Sequence, residues 1–161
     1  MKYGLIFLLT LFFSFANEGT LPPIKLKSLS GNYVDIQKEI GDGPILINFW
    51  ATWCTPCIKE MKAIEPIYNK YKDQGFKVFS ISIDDINTVS RIKGFMKRKK
   101  FPFTVLLDTN HKVKTQMQVS NPPFTLLVNK KGEIVYKHTG YNKGDEKEIE
   151  VLVKKLIQEK Q

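Results

Sequence analysis

The chain has 161 residues, of which 25 are lysine or arginine and 16 are aspartate or glutamate, giving a formal net charge of +9. A chain of this length favours one domain and can build a core without disulfide bonds to hold it together. Hydrophobic residues make up 42% and charged residues 25%, a composition that excludes wholesale disorder. Two cysteines are too few for a disulfide scaffold, and with two histidines they cannot complete a four-ligand zinc site without carboxylates.

The first sixteen residues have the pattern of an export signal. Lys2 supplies a positive charge, residues 5–13 are apolar except for Thr10, and Ser14 and Ala16 place small residues at the −3 and −1 positions of a cleavage site. The uncharged stretch is shorter than the roughly 20 residues of a spanning helix, which favours cleavage over an uncleaved anchor. We therefore expect a signal peptide over 1–16, one domain over 17–161, and a location in the periplasm or on the outer face of the cytoplasmic membrane.

Turn residues divide the first half of this domain into strands and one helix. Alternation at period two predicts strands at 24–27 and 33–36, which would form an opening hairpin. The β-branched and aromatic run 45–50 predicts a strand buried on both faces. Apolar residues at spacings of three and four predict a helix over 55–73, stopped by Gly75.

The second half continues the same alternation. Thr88 is a candidate N-cap for a helix that carries four consecutive basic residues, Lys97 to Lys100, near its end. We read these residues mainly as a solvated face at a helix C-terminus, which favours cations. The remaining predicted elements are strands at 76–83, 103–107, 124–128 and 133–138, and helices at 88–99, 110–117 and 144–159. Strands alternating with helices predict an α/β fold, with a central mixed β-sheet flanked by helices and an antiparallel edge from the last hairpin.

The chemistry is concentrated in the segment Trp53-Cys54-Thr55-Pro56-Cys57, between a predicted strand and a predicted helix. At a helix N-terminus, the unpaired backbone N–H groups favour a neighbouring anion. In a C-x-x-C motif there, a cysteine pKa falls from about 8.5 to roughly 3.5–7.5. We expect Cys54 at the exposed tip to act as the nucleophile and Cys57 to act as the resolving thiol.

Two other interpretations of the pair are weaker. A structural disulfide across two intervening residues removes little entropy from the unfolded chain, so it would stabilise little. A zinc site would have to recruit His111 and His138, which lie 57 and 81 positions after Cys54 and fit ordinary turn and strand-end positions. We therefore expect no metal and no cofactor other than the Cys54–Cys57 redox disulfide.

The run from Asn48 to Glu60, Asn-Phe-Trp-Ala-Thr-Trp-Cys-Thr-Pro-Cys-Ile-Lys-Glu, resembles the active-site segment of the TlpA/ResA-type thioredoxin-like proteins, an exported branch of the thioredoxin superfamily. The opening hairpin, the 106–108 Leu-Leu-Asp segment and the 119–128 segment fall in the family's order. The resemblance implies a thioredoxin fold with an inserted helix-strand unit. It also implies active-site support from Trp53, Thr55 and Pro56, and a cis peptide bond at Pro123. We expect Trp50 and Trp53 to be walls of the site.

Several positions depart from the family pattern. Asn48 stands where cytosolic thioredoxins have a buried aspartate. The resemblance implies that an acidic residue after the next strand takes over the role of that aspartate. Asp85 aligns with this acidic residue, and Asp84 is adjacent to it. Capping of the next helix is an equally good interpretation of these two aspartates. The family's helix proline is Lys62 here, so we expect the kink to move to Pro66.

The substrate-binding positions implied by the resemblance are Pro122 and Phe124. Pro122 has no backbone N–H, so one hydrogen bond to an extended substrate segment cannot form. Phe124 replaces a smaller threonine of the family. We expect Trp53 and Phe124 to contact clients, and Pro122 with Phe124 to narrow the range of substrates.

The predicted function is an extracytoplasmic thiol-disulfide oxidoreductase acting as a reductase, because Thr55-Pro56 lacks the histidine of strong oxidants in this superfamily. The resemblance implies protein disulfides as substrates, among them apocytochrome c, and recharging by a membrane electron donor of the DsbD/CcdA type. We expect a monomer that does not bind nucleic acid. The alternatives are a binding or scaffold protein and a thiol peroxidase, although Ala51 and Ile47 replace the threonine and proline of the peroxidase motif.

Overall fold

The computed structural model describes residues 19–159, so the predicted signal peptide lies outside the described residues. Within them, no helix is long and apolar enough to cross a membrane. The elements in chain order are β1 (Lys25–Ser28), β2 (Tyr33–Asp35), β3 (Ile45–Trp50), α1 (Thr55–Tyr71), β4 (Lys77–Ser82), α2 (Val89–Lys99), β5 (Thr104–Leu107), α3 (Lys112–Gln116), β6 (Phe124–Val128), β7 (Ile134–Thr139) and α4 (Asp145–Gln158).

These strands form a seven-stranded mixed sheet in the order β2-β1-β5-β4-β3-β6-β7. Strands β3, β4 and β5 are parallel neighbours, and the remaining pairs are antiparallel. All six residues of β3 are buried, as expected for a strand inside a sheet with both faces covered. The predicted α/β class and mixed sheet are confirmed. Because β3 and β4 run parallel, their carboxyl ends lie at the same edge, where β3 leads into α1.

Helix α1 buries one side, on which Cys57, Met61 and Ile64 lie at spacings of three and four. It contains Pro66, and the kink there stays a prediction. A short 3₁₀ turn follows, and Gly75 then takes a φ of +89°. A side chain at Gly75 would meet the backbone carbonyl oxygen of Asp42 at 2.6 Å, so the chain needs glycine there for both space and conformation.

Thr88 occupies the predicted N-cap position of α2. Helix α2 follows a 3₁₀ turn at Ile86–Thr88, and the Thr88 side chain makes no capping hydrogen bond. Its hydroxyl instead donates to the Asp85 carbonyl oxygen at 2.8 Å, a contact within the preceding turn.

Candidate active site

Cys54 and Cys57 form a disulfide at the junction of β3 and α1, with their Cα atoms 5.3 Å apart. Cys54 is the N-cap of α1, and its Sγ accepts a hydrogen bond from the Cys57 backbone N–H at 3.3 Å. When the pair is reduced, the N-terminus of α1 therefore stabilises a thiolate at Cys54. This geometry agrees with the expectation that Cys54 is the nucleophile.

The surface around the disulfide differs from the prediction in its details. Cys54 is only 4% exposed, so it does not stand at an exposed tip, although it remains more accessible than the fully buried Cys57. Trp53 is 65% exposed, and Thr55 and Pro56 are also exposed. Trp50 is fully buried against Phe95, with ring centroids 5.4 Å apart, so it belongs to the core and does not form a wall.

Asp84 holds the turn that precedes Cys54. Its buried carboxylate accepts hydrogen bonds from the Thr52 backbone N–H at 2.9 Å, from the Thr52 hydroxyl at 2.6 Å and from the Ser82 hydroxyl at 2.8 Å. These bonds tie the end of β3 to the end of β4. Asp84 is therefore a positioning residue for the active-site turn.

Asp85, the other acidic residue after β4, lies on the surface. Its Oδ1 accepts a hydrogen bond from the Asn87 backbone N–H at 2.9 Å, which caps the 3₁₀ turn. The side chains of adjacent residues diverge as the strand ends, so Asp84 points inward and Asp85 outward. Of the two interpretations of Asp85, the structure supports capping and not a position beneath the disulfide.

The buried acidic group on the helix of the disulfide is Glu60, which the sequence analysis did not single out. Glu60 follows Cys57 by three residues on the same face of α1 and is 2% exposed. Its Oε1 accepts a hydrogen bond from the Thr125 hydroxyl at 2.6 Å, whereas its Oε2 has no hydrogen-bond partner among the described residues. The signal in the sequence was a carboxyl residue within the apolar stripe of α1.

Burial raises the pKa of Glu60 to about 7; the hydrogen bond from Thr125 opposes this shift, and the charge of Asp145 adds to it. Near neutral pH the carboxyl group can therefore accept or release a proton. Asn48 lies in register with Thr125 on the adjacent strand, and its Oδ1 accepts a hydrogen bond from the Ser80 hydroxyl at 2.7 Å. The Asn48 amide cannot take up a proton, whereas the Glu60 carboxyl group can.

The β6 side of the site contains the predicted cis bond. The Pro122–Pro123 peptide is cis, Pro123 is buried, and Pro122 is half-buried. Phe124 is only 4% exposed and packs against Phe49 with ring centroids 5.8 Å apart. Lys137 Nζ also lies 5.8 Å from the Phe124 ring centroid, so the side chain leaves little surface for a client. The expected contact between Phe124 and a client stays a prediction that this burial disfavours.

The two histidines do not join the cysteines. His111 Nε2 lies 2.8 Å from the Ile83 carbonyl oxygen, and His138 Nε2 lies 3.2 Å from Asp145 Oδ2. Across residues 19–159, no group of three or more histidine, cysteine, aspartate or glutamate side chains could hold a metal ion.

Comparison with known proteins now decides the family. The family model named Redoxin matches residues 16–153. The chain belongs to the Redoxin family. It is also 32% identical over 119 residues to the thiol-disulfide oxidoreductase ResA of Bacillus cereus, an alignment that covers 74% of this chain and 67% of that relative.

Two solved structures share the fold of this chain. A thioredoxin-like protein of Porphyromonas gingivalis is 36% identical, with a TM-score of 0.74 over 88% of this chain and 94% of that one. A Chlorobium tepidum protein assigned as thiol:disulfide interchange protein DsbE has a TM-score of 0.80 over 89% and 99% of the two chains. At 23% identity the second likeness shows the fold alone. The Redoxin-family chain is thus a thiol-disulfide oxidoreductase whose redox-active pair is Cys54 and Cys57.

Proposed function

We propose that this Redoxin-family protein works outside the cytoplasm as a reductase of selected protein disulfides. The observation that carries the direction is the buried Glu60 carboxyl three residues beyond Cys57. When Glu60 is ionised, its negative charge disfavours a thiolate nearby, which destabilises the dithiol form and makes it a stronger reductant. The exposed pair Thr55-Pro56 adds no positive charge that would reverse this effect.

The reaction begins with the Cys54 thiolate, held at the N-terminus of α1. Its sulfur attacks one sulfur of the client disulfide, and the other client sulfur leaves as a thiolate. Cys57 then loses its proton to the Glu60 carboxylate and attacks the Cys54 sulfur, which releases the second client thiolate. The client gains two electrons and the Cys54–Cys57 dithiol loses them, so the cycle ends in the disulfide seen in the structure.

The reduction potential of the Cys54–Cys57 pair tests the direction. Equilibration with dithiothreitol or glutathione buffers should give a value well below the roughly −120 mV of a strong oxidant. At pH values above 7, Glu60→Gln should have a higher reduction potential than the wild type, because the amide removes the nearby negative charge. A wild-type potential near −120 mV would show that the protein is an oxidant.

The proposed clients are proteins with an accessible disulfide, and apocytochrome c before haem attachment is the class that the resemblance to ResA-type proteins suggests. Cys57→Ser should form a stable mixed disulfide with an oxidised C-x-x-C-H peptide, since the resolving thiol is gone. The double variant Cys54→Ser, Cys57→Ser is the control and should form none. A scaffold protein would fail to trap the peptide, and a thiol peroxidase would consume hydrogen peroxide rapidly.

We propose that Pro122 narrows the range of client proteins that the enzyme reduces. It is half-buried beside the cis bond and cannot donate a backbone hydrogen bond to an extended substrate. Pro122→Thr should therefore speed the reduction of insulin several-fold, with little change for a small disulfide such as oxidised glutathione. An unchanged insulin rate would contradict this role.

We also propose that the protein is exported and that its disulfide is then reduced again at the membrane. The N-terminal pattern supports secretion, and mass spectrometry of the protein from its native envelope should find a chain that begins at Asn17. A chain that keeps residues 1–16 would support the alternative of an uncleaved anchor. A membrane donor of the DsbD/CcdA type is the proposed source of electrons, and deleting it should leave Cys54 and Cys57 oxidised in the cell.

A further inference from the structure

A second polar cluster lies where β7 meets the start of α4. His138 Nε2 is 3.2 Å from Asp145 Oδ2, a contact that becomes an ion pair when the imidazole is protonated. The contact does not have hydrogen-bond geometry, and Nε2 itself is buried. The two side chains are 36% and 24% exposed, so they reach solvent while Nε2 faces inward.

This cluster adjoins Glu60 through Thr125. His138 lies directly opposite Thr125 in the β6–β7 register, so the two side chains share one face of the sheet at about 5 Å between Cβ atoms. The Thr125 hydroxyl donates to Glu60 Oε1 at 2.6 Å. Asp145 is also close enough for its charge to contribute to the raised pKa of Glu60. The histidine and the buried carboxyl therefore flank the same threonine.

Glu60 needs such a neighbour because it is buried. A proton taken from Cys57 must leave the carboxyl group before the next cycle, and Glu60 itself is 2% exposed. Glu60 Oε2 and His138 Nε2 are both buried atoms without a hydrogen bond among the described residues. Buried polar atoms of this kind call for a functional explanation.

We propose that His138 and Asp145 relay protons between Glu60 and solvent. The relay rests on the proposed proton transfer from Cys57 to Glu60. The Cys57 S–H bond breaks as a Glu60 O–H bond forms. The proton then passes to His138 Nε2, directly or through one water molecule, and leaves by way of Asp145 to solvent. No electron moves in these steps.

The other titratable groups of this region do not fit the role. Burial raises the pKa of Tyr136 to about 12, with the charges of Glu148, Asp145 and Glu60 adding to the shift. Burial also raises the pKa of Tyr141 to about 12, and its hydroxyl donates to Glu146. Both phenols therefore keep their protons near neutral pH, whereas histidine is the side chain suited to exchange protons there.

The test is the rate of repeated turnover between about pH 6 and pH 8, in which a catalytic amount of the protein reduces oxidised glutathione with dithiothreitol as the electron source and the rate without protein is subtracted. His138→Ala should react about tenfold more slowly, and added imidazole should restore the rate while sodium chloride of equal ionic strength should not. His138→Gln, which preserves side-chain volume, should be slow and respond less to imidazole. His111→Gln, the matched substitution at the other histidine, should react like the wild type.

Two outcomes separate this relay from the proposed function. If Glu60→Gln is slow while both His138 variants keep the wild-type rate and pH profile, the relay is wrong and the role of Glu60 stands. If Glu60→Gln reacts like the wild type, the proton transfer to Glu60 fails and the relay fails with it. A double variant Glu60→Gln, His138→Ala that is no slower than Glu60→Gln would support one shared route.

Discussion

Asp84 and Glu60 are both buried carboxyl residues near the disulfide, but their surroundings differ. Asp84, at the end of β4, accepts three hydrogen bonds from Thr52 and Ser82. Glu60, within α1, accepts one, from Thr125, and its second oxygen has none among the described residues. The two residues are 3% and 2% exposed, so burial alone does not separate them.

The difference lies in how far the protein replaces the hydrogen bonds that water would supply. A carboxylate with several donors is stabilised in its charged form, whereas a buried carboxyl with few donors is driven toward its neutral form. Asp84 thus holds a turn in place, and Glu60 is poised to exchange a proton. The following four substitutions test this contrast.

Glu60→Gln should have the largest effect on stability. Because the pKa of folded Glu60 is about 7 against an ordinary 4.5, the folded state binds more protons than the unfolded state between these values. Wild-type stability should therefore fall as pH rises through this window, by about 3 kcal/mol in total. The amide cannot ionise, so Glu60→Gln should be more stable than the wild type at pH 8 and similar to it below about pH 4.5.

Urea unfolding of the oxidised protein at several pH values measures this difference. Glu65→Gln, a less buried glutamate on the same helix, is the control and should follow the wild-type curve. Parallel curves for the wild type and Glu60→Gln would show that folding does not shift the pKa of Glu60.

Asp84→Ala should cost about 2 kcal/mol, because it leaves the Thr52 N–H and two hydroxyl groups without their acceptor. The matched control is Asp85→Ala next to it, which removes only one hydrogen bond at the surface and should cost less. Urea midpoints at neutral pH compare the two. Equal losses would contradict the positioning role of Asp84.

Thr125→Val keeps the shape of the side chain but removes the donor to Glu60. We expect a loss of about 1 kcal/mol and a pKa of Glu60 above its present value, since that hydrogen bond holds the pKa down. Infrared titration of the carboxyl band measures the shift. Thr104→Val, at an exposed position on β5, is the control and should leave the band unmoved.

Lys77→Met should have the smallest effect. Lys77 Nζ pairs with Glu39 Oε2 at 2.8 Å and Asp42 Oδ2 at 2.9 Å, but both carboxylates are open to solvent. Solvent and salt screen such pairs, so the urea midpoint should shift less than for Thr125→Val, and less still at high salt. A loss of stability as large as that of Asp84→Ala would show that these exposed ion pairs stabilise the fold as much as the buried hydrogen bonds of Asp84 do.

The course of the main chain was predictable because it follows from local patterns. The bounds of β3 and β6 agree with the predicted strands, and α1 begins at the predicted Thr55. The C-x-x-C pair was equally visible, since its chemistry depends on a spacing of three residues and on the adjoining helix N-terminus. Thr88 is the N-cap residue of α2 as predicted, but its hydroxyl donates to the Asp85 carbonyl oxygen of the preceding 3₁₀ turn, a contact that the helix pattern did not predict.

The sequence by itself determined the alternation of strands and helices, the family resemblance and the reactive pair, since each depends on residues close together in the chain. Tertiary structure alone decided that Glu60 is buried and Asp85 exposed, that Phe124 lies in the core, and that His138 flanks the threonine bound to Glu60. Burial and cross-strand register join residues 13 to 65 positions apart, such as Thr125 with His138 and Thr125 with Glu60. Those contacts set the proton chemistry, and no local pattern encodes them.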